Sequence, residues 1–254
     1  MKASGIFNHE NAFQNNGIDS SGKKFILTDE TVTIRTTGES LTIVDCKREN
    51  NDDSFYFKDI FAKKKIILHY TAGYLKGDIA TLTTNHVSVP FVIARNGKIY
   101  NLFASKYWSF HLGPGASGGN TAMSKSTIGI ELSNIGPLKK IGNHLVSTYR
   151  DDDVYCSLDE TDYYTHLPIA YKNYNYFATF TNAQYESLIL LLKFLSEKYN
   201  IPKTMVALSD RYSKMTDSVF TNYHGIASHV NCRTDKTDIG PAFDWDRIIQ
   251  GIGV

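Results

Sequence analysis

The sequence predicts an α/β fold with a central mixed β-sheet flanked by helices and a small N-terminal β-rich extension. Three observations lead to it. Ile66-Ile67-Leu68 and Thr-Ile-Gly-Ile-Glu-Leu at 127–132 are short apolar runs, the pattern of strands buried on both faces. Residues 182–199 carry a helical apolar stripe with a start signal before it. Asn96-Gly97, between two apolar segments, is the strongest short hairpin signal a sequence offers. Strand and helix signals therefore alternate along the chain.

Residues 1–22 are polar and rich in Asn, Gly and Ser, and are read as a flexible or loosely docked lead. Residues 23–46 alternate Thr, Ile and Val about a Thr37-Gly38-Glu39 break, the pattern of a hairpin. The charged run 47–54 is read as a linker, which divides the chain into an extension at 1–54 and a main domain at 55–254. Within the main domain the pattern predicts a strand at 66–69 and a helix at 77–85. A hairpin follows from 90–95 and 98–102, then strands at 127–132 and 226–229. In the helix at 182–199, Thr181 is the N-cap and Gln184 closes a capping box. Tyr185, Leu188, Leu191, Leu192, Leu195 and Tyr199 form its apolar face.

The totals exclude several classes. At 254 residues and 42% hydrophobic content the chain can bury a full core. A net charge of +1 with no Lys/Arg tract argues against nucleic acid as a partner. Three irregularly spaced cysteines, Cys46, Cys156 and Cys232, are no disulfide framework and point to a reducing compartment. The N-terminus has no apolar core segment, so a signal peptide is not expected. No run nears 18 apolar residues, so no membrane insertion is expected either. A monomer is expected.

His69 ends the strand Lys65-Ile66-Ile67-Leu68-His69. About 160 residues later, residues 229–241 supply His229, Lys236 and Asp238. Two imidazoles and a carboxylate, with a lysine nearby, are the composition of an open hydrolytic zinc site: three protein ligands, a free position for water, and a cationic helper. His224 competes with His229 for the second imidazole. His229 is favoured because it ends a predicted strand. Glu131 is a carboxylate in an apolar strand, which is costly without a partner and so points to function. His9, His86, His144 and His166 read as surface residues, and Cys232 as an inert thiol. The aromatic stretch 163–180 is either a wall of a substrate groove or a cover for the core.

Several segments, in order over residues 60–250, resemble the zinc-dependent N-acetylmuramoyl-L-alanine amidases of the type-2 class. That class includes phage endolysins and is related to the peptidoglycan-recognition proteins. The segments are Ile67-Leu68-His69-Tyr70-Thr71-Ala72-Gly73, Phe91-Val92-Ile93-Ala94-Arg95-Asn96-Gly97, Trp108-Ser109-Phe110-His111-Leu112-Gly113, Ser126-Thr127-Ile128-Gly129-Ile130-Glu131-Leu132 and Asp235-Lys236-Thr237-Asp238-Ile239-Gly240-Pro241. The resemblance implies one Zn²⁺ held by His69, His229 and Asp238. It implies Lys236 as stabiliser of the oxyanion, Glu131 as acid/base, and His111, Tyr70 and Trp108 as substrate contacts. It further implies hydrolysis of the bond between N-acetylmuramic acid and L-alanine, with bacterial peptidoglycan or muropeptides as partners.

Two other functions compete: a non-catalytic peptidoglycan-binding module, and a zinc endopeptidase cutting within the stem peptide. The full set of ligand types with Lys236 and Glu131 favours the amidase over the module. Without a signal peptide, the expected setting is release from the cytoplasm to the wall by a phage-type or secretion-system route, or cytosolic recycling of wall fragments.

Overall fold

The computed structural model describes residues 2–253. The chain opens with helix α1 (Ala3–Asn16), where a loose lead was expected. Ala3, Ile6 and Phe13 fall on one side of the helix and are buried, and Gly17 ends it in the left-handed region at φ 65°. Three apolar residues among asparagines are a faint stripe, which is why composition reads as a loose segment. Burial of that stripe, and of Glu10 beside it, docks the helix. The Glu10 carboxylate accepts the backbone N–H of Arg95 at 2.9 Å and of Asn96 at 3.1 Å.

Strands β1 (Phe25–Thr33) and β2 (Ser40–Arg48) form the expected hairpin. Then come β3 (Lys65–Tyr70), α2 (Leu75–Leu82), β4 (Phe91–Ile93), β5 (Ile99–Asn101), α3 (Asn120–Ser126) and β6 (Thr127–Leu132). β7 (Pro137–Ile141), β8 (His144–Ser147), β9 (Val154–Ser157), β10 (Tyr164–Tyr171) and β11 (Tyr174–Ala178) lead into α4 (Asn182–Tyr199). The chain closes with α5 (Asp217–Asn222), β12 (Gly225–Ser228) and α6 (Trp245–Ile252).

Seven strands build the central mixed sheet, in the order β1-β2-β5-β4-β6-β3-β12. β4, β6, β3 and β12 run parallel, and β5 is antiparallel to β4. The N-terminal hairpin joins this sheet through a parallel pairing of β2 with β5. β3 is buried at all six residues, as a central parallel strand covered on both faces must be. On one face Ile66, Leu68, Ile128, Ile130 and Ile226 pack against Leu188, Leu191, Leu192 and Leu195 of α4 and Ile248 of α6. On the other, Val92 and Tyr100 pack against Phe13 of α1 and Leu75 and Ile79 of α2. The α4 capping box forms as its sequence predicts: Thr181 Oγ1 accepts the Gln184 N–H at 3.1 Å and Gln184 Oε1 accepts the Thr181 N–H at 3.1 Å.

A second sheet, antiparallel in the order β10-β11-β7-β8-β9, is inserted between β6 and α4. It packs on Ala3 and Ile6 of α1. The aromatic stretch divides accordingly. Tyr163, Tyr164 and Tyr176 cover this smaller core, whereas Tyr171 reaches the loop that carries Asp238, against Gly240.

Candidate active site

The register of three neighbouring parallel strands assembles the site. His69 of β3 stands opposite Glu131 of β6, and Leu68 stands opposite Ser228 of β12, so His229 follows beside His69. Alternation along each strand sends Ile66, Leu68, Ile128, Ile130 and Ile226 to the α4 face, leaving His69 and Glu131 for the opposite one. The three groups therefore meet at the carboxyl ends of parallel strands, where ligands gather in open α/β sheets.

Asp238 arrives from the loop after the short helical turn at His229–Asn231. Its carbonyl accepts the Val230 N–H at 2.9 Å, and the neighbouring Thr237 hydroxyl accepts a bond from Tyr70. His69 Nδ1, His229 Nδ1 and Asp238 Oδ2 lie 3.0, 3.2 and 2.9 Å apart pairwise, all three residues buried. Ligand atoms about 2.0–2.1 Å from a tetrahedral zinc stand about 3.3 Å apart, so this triangle fits one such ion. The ring nitrogens turned away are engaged. His229 Nε2 donates to the Leu112 carbonyl at 2.9 Å, and His69 Nε2 lies 3.0 Å from His111 Nδ1. Partners of this kind fix the tautomer and ring orientation of metal-binding histidines.

The electrostatics fit the same use. Burial, and then His229, push the His69 imidazole down to about 4, so it is neutral at pH 7 with a lone pair to offer. Burial alone would raise the Asp238 carboxyl, but His229 and His69 outweigh it and hold the group below the ordinary carboxylate range. Burial, and then the Asp238 carboxylate, push Glu131 well above that range, while Lys236 opposes them. Glu131 Oε2 is buried without a hydrogen-bond partner among the described residues. Such an atom is costly unless something enters the cleft to meet it.

A cleft of about 680 Å³ opens above these groups, lined by Tyr70, His111, Glu131, His229, Lys236 and Asp238 among others. That volume lies within the usual range for small-ligand sites, about 300–1,000 Å³. The structure brings His229, not His224, to His69 and Asp238; His224 is exposed. Trp108 does not line the cleft. Its ring is 5% exposed, stacked on Phe57 at 4.3 Å, with the Lys125 ammonium 5.0 Å away, so it is a packing residue here. Cys232 is buried, its thiol pushed up to about 12 by burial and by Asp238, and it is inert. Lys172, at the turn between β10 and β11, was missed by sequence reasoning. Its ammonium donates to the Thr234 carbonyl at 2.8 Å and to that of Lys236. Lys172 and Asn173 both have positive φ, the geometry of a tight hairpin turn, but nothing in the string names the distant loop Lys172 holds.

Residues 61–241 match the N-acetylmuramoyl-L-alanine amidase family. The chain belongs to that family. It is 30% identical over 199 residues to the N-acetylmuramoyl-L-alanine amidase AmiD of Escherichia coli, a match covering 75% of this chain and 54% of the relative. The chain thus spans about half the length of that curated relative. A solved structure of the E. coli AmiD in complex with the substrate anhydro-N-acetylmuramic acid-L-Ala-D-gamma-Glu-L-Lys is similar at a TM-score of 0.50 and 22% identity. The likeness covers 84% of this chain and 63% of that one. It shows the fold of the amidase family: the mixed sheet flanked by helices that the sequence predicts.

Proposed function

We propose that this chain is a zinc-dependent N-acetylmuramoyl-L-alanine amidase, hydrolysing the amide between the lactyl group of N-acetylmuramic acid and L-alanine. The observation that carries the reading is the convergence of His69, His229 and Asp238 within one hydrogen-bond length of each other, with Glu131 and Lys236 on the same cleft. Zinc, held by His69, His229 and Asp238, would supply water activation and polarisation of the amide carbonyl. Glu131, its Oε2 unpartnered, takes the proton of the attacking water. Burial raises its proton affinity, which suits it to hold that proton and pass it to the leaving amine. Lys236 offers positive charge to the oxygen that becomes anionic as the carbonyl is attacked. Val87 and Phe110 give the cleft an apolar rim against which substrate can pack.

The muropeptide in the E. coli relative's structure supports wall fragments or peptidoglycan as the substrate class. No helix among the described residues is long and apolar enough to cross a membrane.

The test is incubation with peptidoglycan, with and without chelator, and mass spectrometry of the products. Intact stem peptides beginning at L-alanine are expected, lost on chelation and restored by zinc. Cuts within the stem would instead identify an endopeptidase, and binding without cleavage a recognition module. His69→Ala and Asp238→Ala should lose both zinc and cleavage. Glu131→Ala should keep zinc and lose roughly 10²–10⁴-fold in rate, the usual worth of a general acid–base group.

A further inference from the structure

We propose that His111 is a positioning residue for His69, setting the proton and the ring angle of that ligand, rather than a group that meets substrate. The inference rests on the metal-site reading above and deepens it. His111 borders the cleft, yet both its ring nitrogens are engaged inside the protein. Nδ1 lies 3.0 Å from His69 Nε2, and Nε2 lies 2.7 Å from Thr127 Oγ1.

The bonds of this chain run in one consistent direction when taken from its far end. Thr127 Oγ1 lies 2.9 Å from the Met123 carbonyl and 3.5 Å from that of Ser124. With its one proton donated to the nearer carbonyl, that of Met123, the threonine hydroxyl keeps a lone pair to accept from His111 Nε2–H. A neutral imidazole carries one proton, so His111 Nδ1 must be an acceptor, and it takes the bond from His69 Nε2–H. His69 Nδ1 is then bare and faces His229 Nδ1 and Asp238 Oδ2. A backbone carbonyl in helix α3 thus specifies, two side chains away, which nitrogen of His69 is free for a metal.

The surrounding chain makes room for this arrangement. Thr127, Gly129 and Glu131 alternate on one face of β6. Thr127 anchors His111, and Glu131 serves the cleft. A Cβ on Gly129 would lie 3.0 Å from His111 Nδ1 and 3.2 Å from its Cγ, so the glycine yields the space the ring occupies.

Three replacements at one position separate this role from the alternatives. Asn places an oxygen near the place of Nδ1 and can still accept from His69. Gln reaches the place of Nε2 and can still bond Thr127, while offering His69 nothing. Leu does neither. The readouts are zinc affinity, by competition with a chromogenic chelator, and kcat and KM measured separately on a muropeptide at saturating zinc. His111→Gln and His111→Leu should weaken zinc roughly 10–100-fold, the usual effect of removing an outer partner of a metal-binding histidine. His111→Asn should recover most of that loss, and KM should stay near wild type throughout. Thr127→Val, one step farther from the cleft, should weaken zinc in the same direction and keeps the test open if a His111 variant does not fold. Unchanged zinc affinity in His111→Gln with a raised KM would make His111 a substrate contact and overturn the proposal. So would Gln outperforming Asn, the order expected if the ring merely fills volume. His69→Ala is run in parallel. If it too leaves zinc affinity unchanged, the metal site itself is wrong; if it abolishes binding while the His111 series does nothing, only the positioning role is.

Discussion

Gly129 decides where His111 can stand. Its missing side chain leaves a gap between His111 and Val89, whose Cγ1 would lie 2.5 Å from an added Cβ. Gly129→Ala should therefore cost about 1–3 kcal/mol by overpacking. It should also weaken zinc, because the ring it displaces is the one bonded to His69; denaturant unfolding and metal titration check the two effects separately. At this scale the sequence was most legible where chemistry is concentrated. His69, His229 and Asp238 stand out as candidate ligands because two segments some 160 residues apart carry the pattern the family resemblance supplies. Trp108 was misplaced for the opposite reason. The resemblance implies a substrate contact there, and only the fold shows its ring committed to Phe57. His111 shows a related limit, since a string records a donor and an acceptor but not what each is bonded to.

The elements around the site do more holding than the sequence revealed. The β10–β11 hairpin extends from the second sheet to the Asp238 loop, where Lys172 binds two of its carbonyls. A hydrogen bond from a charged donor is worth about 1.5–3 kcal/mol net. If that energy keeps Lys236 and Asp238 in place, Lys172→Met should lower kcat/KM about tenfold and Tm by roughly 3–12 °C. Unaltered kinetics would mean the loop holds itself. Helix α1 offers a second test. Burial raises the Glu10 carboxyl to about 7, against the lowering effect of its bonds from Arg95 and Asn96. A carboxyl raised in the folded state contributes its full stability below its unfolded pKa, about 4.3, and loses it as pH climbs through about 7. The loss is at most about 4 kcal/mol. Wild type should thus lose stability relative to Glu10→Gln as pH rises from about 4.5 to above 7; parallel melting profiles would show that Glu10 titrates normally. α1 escaped the sequence because four asparagines and a glycine interrupt its faint apolar stripe, while α4 was read to the residue because its cap and its leucine stripe agree.

Across the whole molecule, the central sheet was legible as a class because its buried strands announce themselves by apolar runs. Its order was not, since nothing local tells β3 to lie between β6 and β12. The second sheet went unread as well: β10, for example, is mostly exposed or half-buried and shows no clean alternation. The proposed metal makes the global prediction simple. A ligand that binds only the folded chain stabilises it by about 4 kcal/mol at a thousand times its Kd. For a chain of this size about 1 kcal/mol moves Tm by roughly 2–4 °C. A chelator should therefore lower the melting temperature by on the order of 10 °C, and zinc should restore it; an unchanged Tm would argue that the triangle holds no ion.

The parallel pairing of β3 with β12 has a consequence for anyone watching the chain fold. His69 gains its partner imidazole only when residues 225–228 have aligned with residues 65–68, across some 160 residues of intervening sequence. A coloured ion such as cobalt(II), substituted at the centre, would stay pale until that alignment is made. The proposed centre would thus report the formation of a contact between segments far apart in sequence.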